Sequence, residues 1–168
     1  KSILLICDDE EISKFLQEKL MLDMGIALSI ENTSKEGLEA FKSGAFDIVI
    51  IKYGMPDMDT KGQIKALKKI DPDSVIIIFG EKEESETLEH IYKTGVYAFL
   101  VKPFNSDELY FLINKGSELH QALITNSRLM HSLQEQNTAL QRQNTLLAKR
   151  IEDSTKNLSR LYEDLRST

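Results

Sequence analysis

The 168-residue chain carries 21 basic and 27 acidic side chains, a net charge of −6, and the acidity is concentrated at one end. Residues 1–118 hold 14 lysines and no arginine against 22 acids (−8), a balance that argues against phosphate-backbone binding, whereas residues 119–168 hold 7 basic and 5 acidic groups (+2) in a dispersed pattern suited to a solvated helix exterior. No apolar run approaches the ~18 residues of a membrane span, and a single cysteine, Cys7, without a leader-like start makes a reducing cytoplasm the expected location.

All three prolines and all eight glycines lie before residue 117, which divides the chain into a compact part, 1–118, and an uninterrupted helical part, 119–168. The first residue is Lys and the last falls inside a repeat, so a piece of a longer protein is expected. In chain order, residues 3–6 form a short apolar run, the first strand, β1. Residues 12–24 have helical spacing (α1), and 27–30 make a weaker, peripheral strand (β2). Then follow 35–42 (α2), the apolar run 48–51 (β3), 64–70 (α3), the apolar run 75–79 (β4), 87–93 (α4) and the weaker 98–101 (β5). Continuous apolar runs such as β1, β3 and β4 suit strands buried on both faces of a parallel sheet. Ser34, Thr60 and Ser85 are placed as N-caps, and Gly25, Gly44 and Gly95 as C-terminal stops. Strand and helix alternating five times imply right-handed crossovers and a doubly wound three-layer α/β sandwich. Sites in such sheets lie beyond the carboxyl ends of the strands, which singles out Asp8, Asp9, Lys52, Gly80 and Lys102.

The fifth helix (α5) starts near Ser106-Asp107-Glu108 and meets no breaker except Gly116. From Leu119 a heptad repeat runs on. Position d holds Leu119, Asn126, Leu133, Leu140, Leu147, Ser154 and Leu161; position a holds Leu123, Met130, Asn137, Asn144, Ile151, Leu158 and Leu165. Ten of these fourteen are apolar, the pattern of a coiled coil. Run backwards, the phase reaches Leu109 and Leu112, so one stripe would serve first the sheet and then a partner. A helix of ~60 residues is ~90 Å long, more than a 118-residue globule can cover. Asn137 and Asn144 at consecutive a positions favour a parallel dimer in one register. The e and g positions are mainly uncharged (Gln134, Gln136, Gln141, Gln143), which makes a homodimer the simpler expectation.

The acidic pair in Ile6-Cys7-Asp8-Asp9-Glu10, the Met55-Pro56 step beyond β3 and Lys102-Pro103-Phe104 after β5, in that order and spacing, resemble the response-regulator receiver family of two-component signalling. The resemblance covers about two thirds of the chain and implies a (βα)5 flavodoxin-like sheet of order 2-1-3-4-5. It also implies that Asp8 and Asp9 match acids that bind Mg²⁺, Lys102 a lysine that pairs with a phosphoryl group, and Phe99 a switch aromatic, with a cis peptide at Lys102–Pro103. Two positions depart from the family. Lys52 stands where the phosphoacceptor aspartate belongs, and Gly80 where a hydroxyl belongs; Thr60 also replaces a usual glycine.

Asp8, Asp9, Lys52 and Lys102 sum to zero charge without a metal, and an ammonium offers a hard cation no ligand, so the expectation is no bound metal, no cofactor and an internal salt bridge from Lys52 to Asp8 or Asp9. Cys7 reads as a core residue; His90, His120 and His131 read as isolated helix-surface histidines; Asp57 and Asp59 read as a solvated loop, with a displaced phosphoacceptor as the alternative. The functional expectation is a non-enzymatic, phosphorylation-independent signalling module. It would bind a protein partner through the α4–β5–α5 face, dimerise through 119–168 and relay to an output beyond Thr168. Two alternatives stay open: a receiver phosphorylated on an unusual carboxylate such as Asp9 or Asp57, and the regulatory input of a larger enzyme such as a nucleotide cyclase, phosphodiesterase or kinase.

Overall fold

The computed structural model describes residues 1–81 and 91–167. The apolar runs form strands β1 (Ser2–Ile6), β2 (Ala27–Glu31), β3 (Ile48–Lys52), β4 (Val75–Gly80) and β5 (Ala98–Val101). All pair in parallel in the order β2-β1-β3-β4-β5, which is the expected topology. Successive strand residues point to opposite faces, and each face has its own core. On one side Ile3, Leu5, Ile48, Ile50, Val75 and Ile77 pack with Leu16, Leu20, Leu109 and Ile113 of the helices. On the other side Leu4, Ile6, Val49, Ile51, Ile76 and Ile78 pack with Phe41, Ile64 and Leu67. The three central runs are continuous in hydrophobicity because both faces are covered.

α1 (Glu10–Gln17) is capped by Asp9, whose carboxylate accepts from the Glu11 and Ile12 amides. Beyond Gln17 the expected α-helix becomes a π-helix over Glu18–Asp23, which keeps Leu20 fully buried and leaves Leu22 exposed. α2 (Ser34–Ser43) is capped by the Thr33 hydroxyl, one residue before the expected Ser34. α3 (Thr60–Ile70) follows Asp59, and Thr60 caps nothing; its Oγ1 accepts from the Gly54 amide instead. The expected cap Ser85, the start of α4 and His90 lie outside the described residues, and helix is described at 91 and 92.

α5 (Ser106–Arg166) is one helix of 61 residues. Asn105, rather than Ser106, supplies its capping bond, accepting from the Asp107 amide at 3.0 Å. Leu109, Ile113, Gly116, Ser117 and His120 are buried. A Cβ on Gly116 would lie 3.2 Å from Val75 Cγ1 and 3.3 Å from Ile48 Cδ1, so glycine at this point lets the helix approach the sheet. By contact the chain divides into Lys1–Ile124 and Thr125–Thr168. Taken by itself, the second unit is helix with its apolar side chains exposed, Leu133, Leu140, Leu147, Ile151, Leu158, Leu161 and Leu165 among them. Among the described residues no helix is long and apolar enough to cross a membrane.

Candidate functional site

The strand order reverses between β1 and β3, and their carboxyl ends bring Asp8 and Lys52 together. Lys52 is the last residue of β3, in register with Phe79, so its side chain leaves the sheet where the apolar run ends. Lys52 Nζ donates to Asp8 Oδ1 at 2.8 Å. This hydrogen bond to the Asp8 carboxylate outweighs partial burial and raises the ammonium's pKa above its ordinary value. The pair remains accessible, with side-chain exposures of 27% and 36%, so its net contribution to stability is small.

Asp9 does not join that pair. Its Oδ1 caps α1, at 3.0 Å from the Glu11 amide and 3.4 Å from that of Ile12. Cys7, the residue before Asp8, is fully buried, and burial pushes its thiol pKa up, although the Asp9 amide donates to Sγ at 3.4 Å and opposes the rise. A raised thiol pKa keeps Cys7 protonated and inert. Lys102 Nζ sits 3.3 Å from Glu81 Oε1, a partner that the sequence patterns did not single out. Gly80 ends β4 and its carbonyl accepts from the Lys102 amide at 3.0 Å. The Lys102–Pro103 peptide is cis. Phe99 is half-buried on β5 and packs against the core face that contains Ile91 and Val96. The two lysines are thus each held by a carboxylate, and among the described residues no three His, Cys, Asp or Glu side chains converge as a metal group.

In the loop after β3, Asp57 is exposed as a solvated loop implies, yet it is tied to α2. Asp57 Oδ1 and Oδ2 accept from the Ser34 and Lys35 amides, each at 3.1 Å, at the start of α2. Desolvation would raise its pKa, but the amides of Ser34 and Lys35 together prevail and hold the carboxyl below its ordinary value. The positive end of the α2 dipole and its free amides account for the attraction. Gly54, at φ 75°, turns the same loop and donates to Thr60. Asp59 stays exposed. One histidine, His120, differs from expectation. His131 is exposed, 3.1 Å from Glu135, but His120 is 6% exposed, with Nδ1 3.3 Å from Asp47 Oδ1. A helical position next to the d residue Leu119 gave no sign of that burial, because Asp47 approaches from a distant loop.

Residues 3–114 match the family described as response regulator receiver domain. The chain is 30% identical over 115 residues to chemotaxis protein CheY of Thermotoga maritima, a match covering 68% of this chain and 96% of that protein. It is 26% identical over 113 residues to transcriptional regulatory protein ZraR of Escherichia coli, covering 67% of this chain but only 26% of ZraR. Among solved structures, a response regulator receiver domain protein from Clostridium thermocellum superposes with a TM-score of 0.68 at 27% identity, covering 73% of this chain and 98% of that one.

Proposed function

Since this chain belongs to the response regulator receiver family, and so to signal transduction, we propose that it is a pseudo-receiver whose state does not depend on aspartyl phosphorylation. The carrying observation is the Lys52–Asp8 ion pair at the end of β3. Phosphoryl transfer in the family needs a carboxylate nucleophile and a divalent cation beside it, and Lys52 replaces the first with a cation. The donor set fits Mg²⁺ poorly. Asp8 is engaged by Lys52, Asp9 by two amides, and an ammonium occupies the position of a third oxygen ligand. Of the alternative acceptors, Asp57 has both oxygens hydrogen-bonded to amides, which lowers its nucleophilicity.

The output half of the proposal is a parallel coiled-coil homodimer through residues 119–168 that relays to a segment beyond Thr168. Its support is the exposed a and d stripe, broken at Asn137 and Asn144, where each asparagine can pair with its symmetry mate. For the input we propose a protein partner on the α4–β5–α5 face, where Tyr92 and Phe111 are exposed aromatics. Whole-protein activity is part of the proposal, because the chain spans about a quarter of ZraR.

The test is incubation of the chain with acetyl phosphate and Mg²⁺, followed by intact-mass measurement. The mass is expected to stay unchanged, and a phosphoryl adduct on any aspartate would overturn the reading. Lys52→Asp, which restores the carboxylate, is expected to bind Mg²⁺ roughly tenfold more tightly than the parent by calorimetry.

A further inference from the structure

A cavity of about 430 Å³ lies at the other end of the sheet, beside the amino end of β3. We propose that it binds a small amphipathic organic cation, an amine carried on an aromatic or branched alkyl body. Its volume is within the roughly 300–1,000 Å³ of small-molecule sites. The apolar wall is Phe41, Phe46, Ile70 and Ile124. Phe41 and Phe46 are stacked with centroids 6.5 Å apart, and a Cβ on Gly44 would come within 2.7 Å of the Phe46 ring, so glycine there makes room for that aromatic surface.

Charge selects the sign of the ligand. α2 ends at Ser43 and α3 at Ile70, so two helix carbonyl ends, the negative poles of their dipoles, border the cavity. The Asp47 and Asp71 carboxylates line it as well. Lys42 also lines the cavity, with Nζ 3.8 Å from Glu39 Oε1, and the neighbouring Lys68 Nζ is held by the Ser74 carbonyl at 2.6 Å. Asp47 Oδ2 accepts from the Ser2 amide at 3.0 Å. Its Oδ1 is 3.3 Å from His120 Nδ1, yet that nitrogen is buried and makes no well-aligned hydrogen bond. A carboxylate has about four acceptor positions, so Asp47 retains capacity for an ammonium. An anion would meet two carboxylates and two helix carbonyl ends against the single lining ammonium of Lys42.

Because His120 and Ile124 belong to α5, a ligand here touches the helix whose later residues carry the heptad stripe. The site is independent of phosphorylation at the opposite end of the sheet, and neither reading needs the other.

The test uses the full chain, isotope-labelled, titrated with benzylamine, benzyl alcohol and benzoate while amide resonances are followed. Benzylamine is expected to shift Gly44, Asp47, Asp71 and Ile124 and to bind about tenfold more tightly than benzyl alcohol, the worth of one charge-assisted hydrogen bond, with no response to benzoate. Asp71→Asn should weaken benzylamine severalfold and leave benzyl alcohol unchanged. Ile124→Trp, which fills the mouth from a half-buried helix position, should abolish both. Benzoate binding as well as benzylamine, shifts mapping to another face, a response that survives Ile124→Trp, or no response to any probe at about 10 mM, weaker than a true site binds such fragments, would each overturn the proposal.

Discussion

The two units of this chain handle apolar surface in opposite ways. In Lys1–Ile124 the strands are covered on both faces, and Ile3, Leu5, Ile50, Ile51 and Ile77 are at or below 1% exposure. In Thr125–Thr168 the heptad leucines remain more than half exposed; Leu140 is at 56% and Leu158 at 67%. Burying a leucine contributes about 1.5–3 kcal/mol, so the first unit collects this gain alone and the second only against another surface. One helix, α5, belongs to both regimes: Leu109 and Leu112 lie on the sheet in the phase that Leu119 and Leu123 continue. The contrast teaches that a single stripe can be core in one stretch and exposed in the next.

The most severe way to break the contrast is Leu140→Asp together with Leu147→Asp. Sedimentation of the full chain at tens of micromolar is expected to change from dimer to monomer, because charges at two adjacent d layers cannot be buried unpaired. The unfolding midpoint of the sheet should not move. A parent chain that is monomeric or trimeric under the same conditions would count against the role given to Asn137 and Asn144.

Ile77→Ala attacks the other side. Ile77 is fully buried in the central part of the sheet, and the truncation should cost about 2–5 kcal/mol in chemical denaturation. Helix association should persist in the variant, which distinguishes the two units. A smaller effect is expected for Asp57→Ala, about 1 kcal/mol from loss of the bonds to the start of α2. The folded-state pKa of Asp57 is depressed, so its contribution is fully present above the ordinary carboxylate value and is lost as pH falls through the folded one. Parent and variant should therefore differ in stability at neutral pH and converge in acid.

The smallest effect sits where α5 meets the π-helical segment. Tyr110 donates its hydroxyl to Asp23, which pushes the phenol pKa up to about 12. Of the five tyrosines, one should ionise late in an alkaline absorbance titration, and Asp23→Asn should return it toward ~10. The stabilisation is present below the unfolded value and disappears as pH rises through about 12.

Much of the site was legible in order, and of its pairing only that Lys52 would meet Asp8 or Asp9. Asp8, Lys52, Gly80 and Lys102 could be read as strand-end residues because buried parallel strands announce their own length in continuous apolar runs. Glu81 as the partner of Lys102 was not legible, since nothing in the residue following Gly80 says which way its side chain turns. Asp57 is exposed as read, but its two partners were not legible, since they are amides 22 and 23 residues away and backbone donors leave no mark in a sequence. His120 read as a surface residue for a similar reason: its neighbour Asp47 is brought in by the fold.

By itself the sequence determined the alternation of strand and helix, the layering of the sheet, the cation at the end of β3 and the helical period of the last fifty residues. Each of these is a local matter, set by which side chains are apolar and how often they recur. Tertiary structure alone decided that Lys52 pairs with Asp8 while Asp9 turns to its own helix, that α1 widens into a π-helix, and that His120 lies beside Asp47. Those outcomes depend on distances between segments far apart in the chain, where a few tenths of an ångström in packing decide which donor reaches which acceptor.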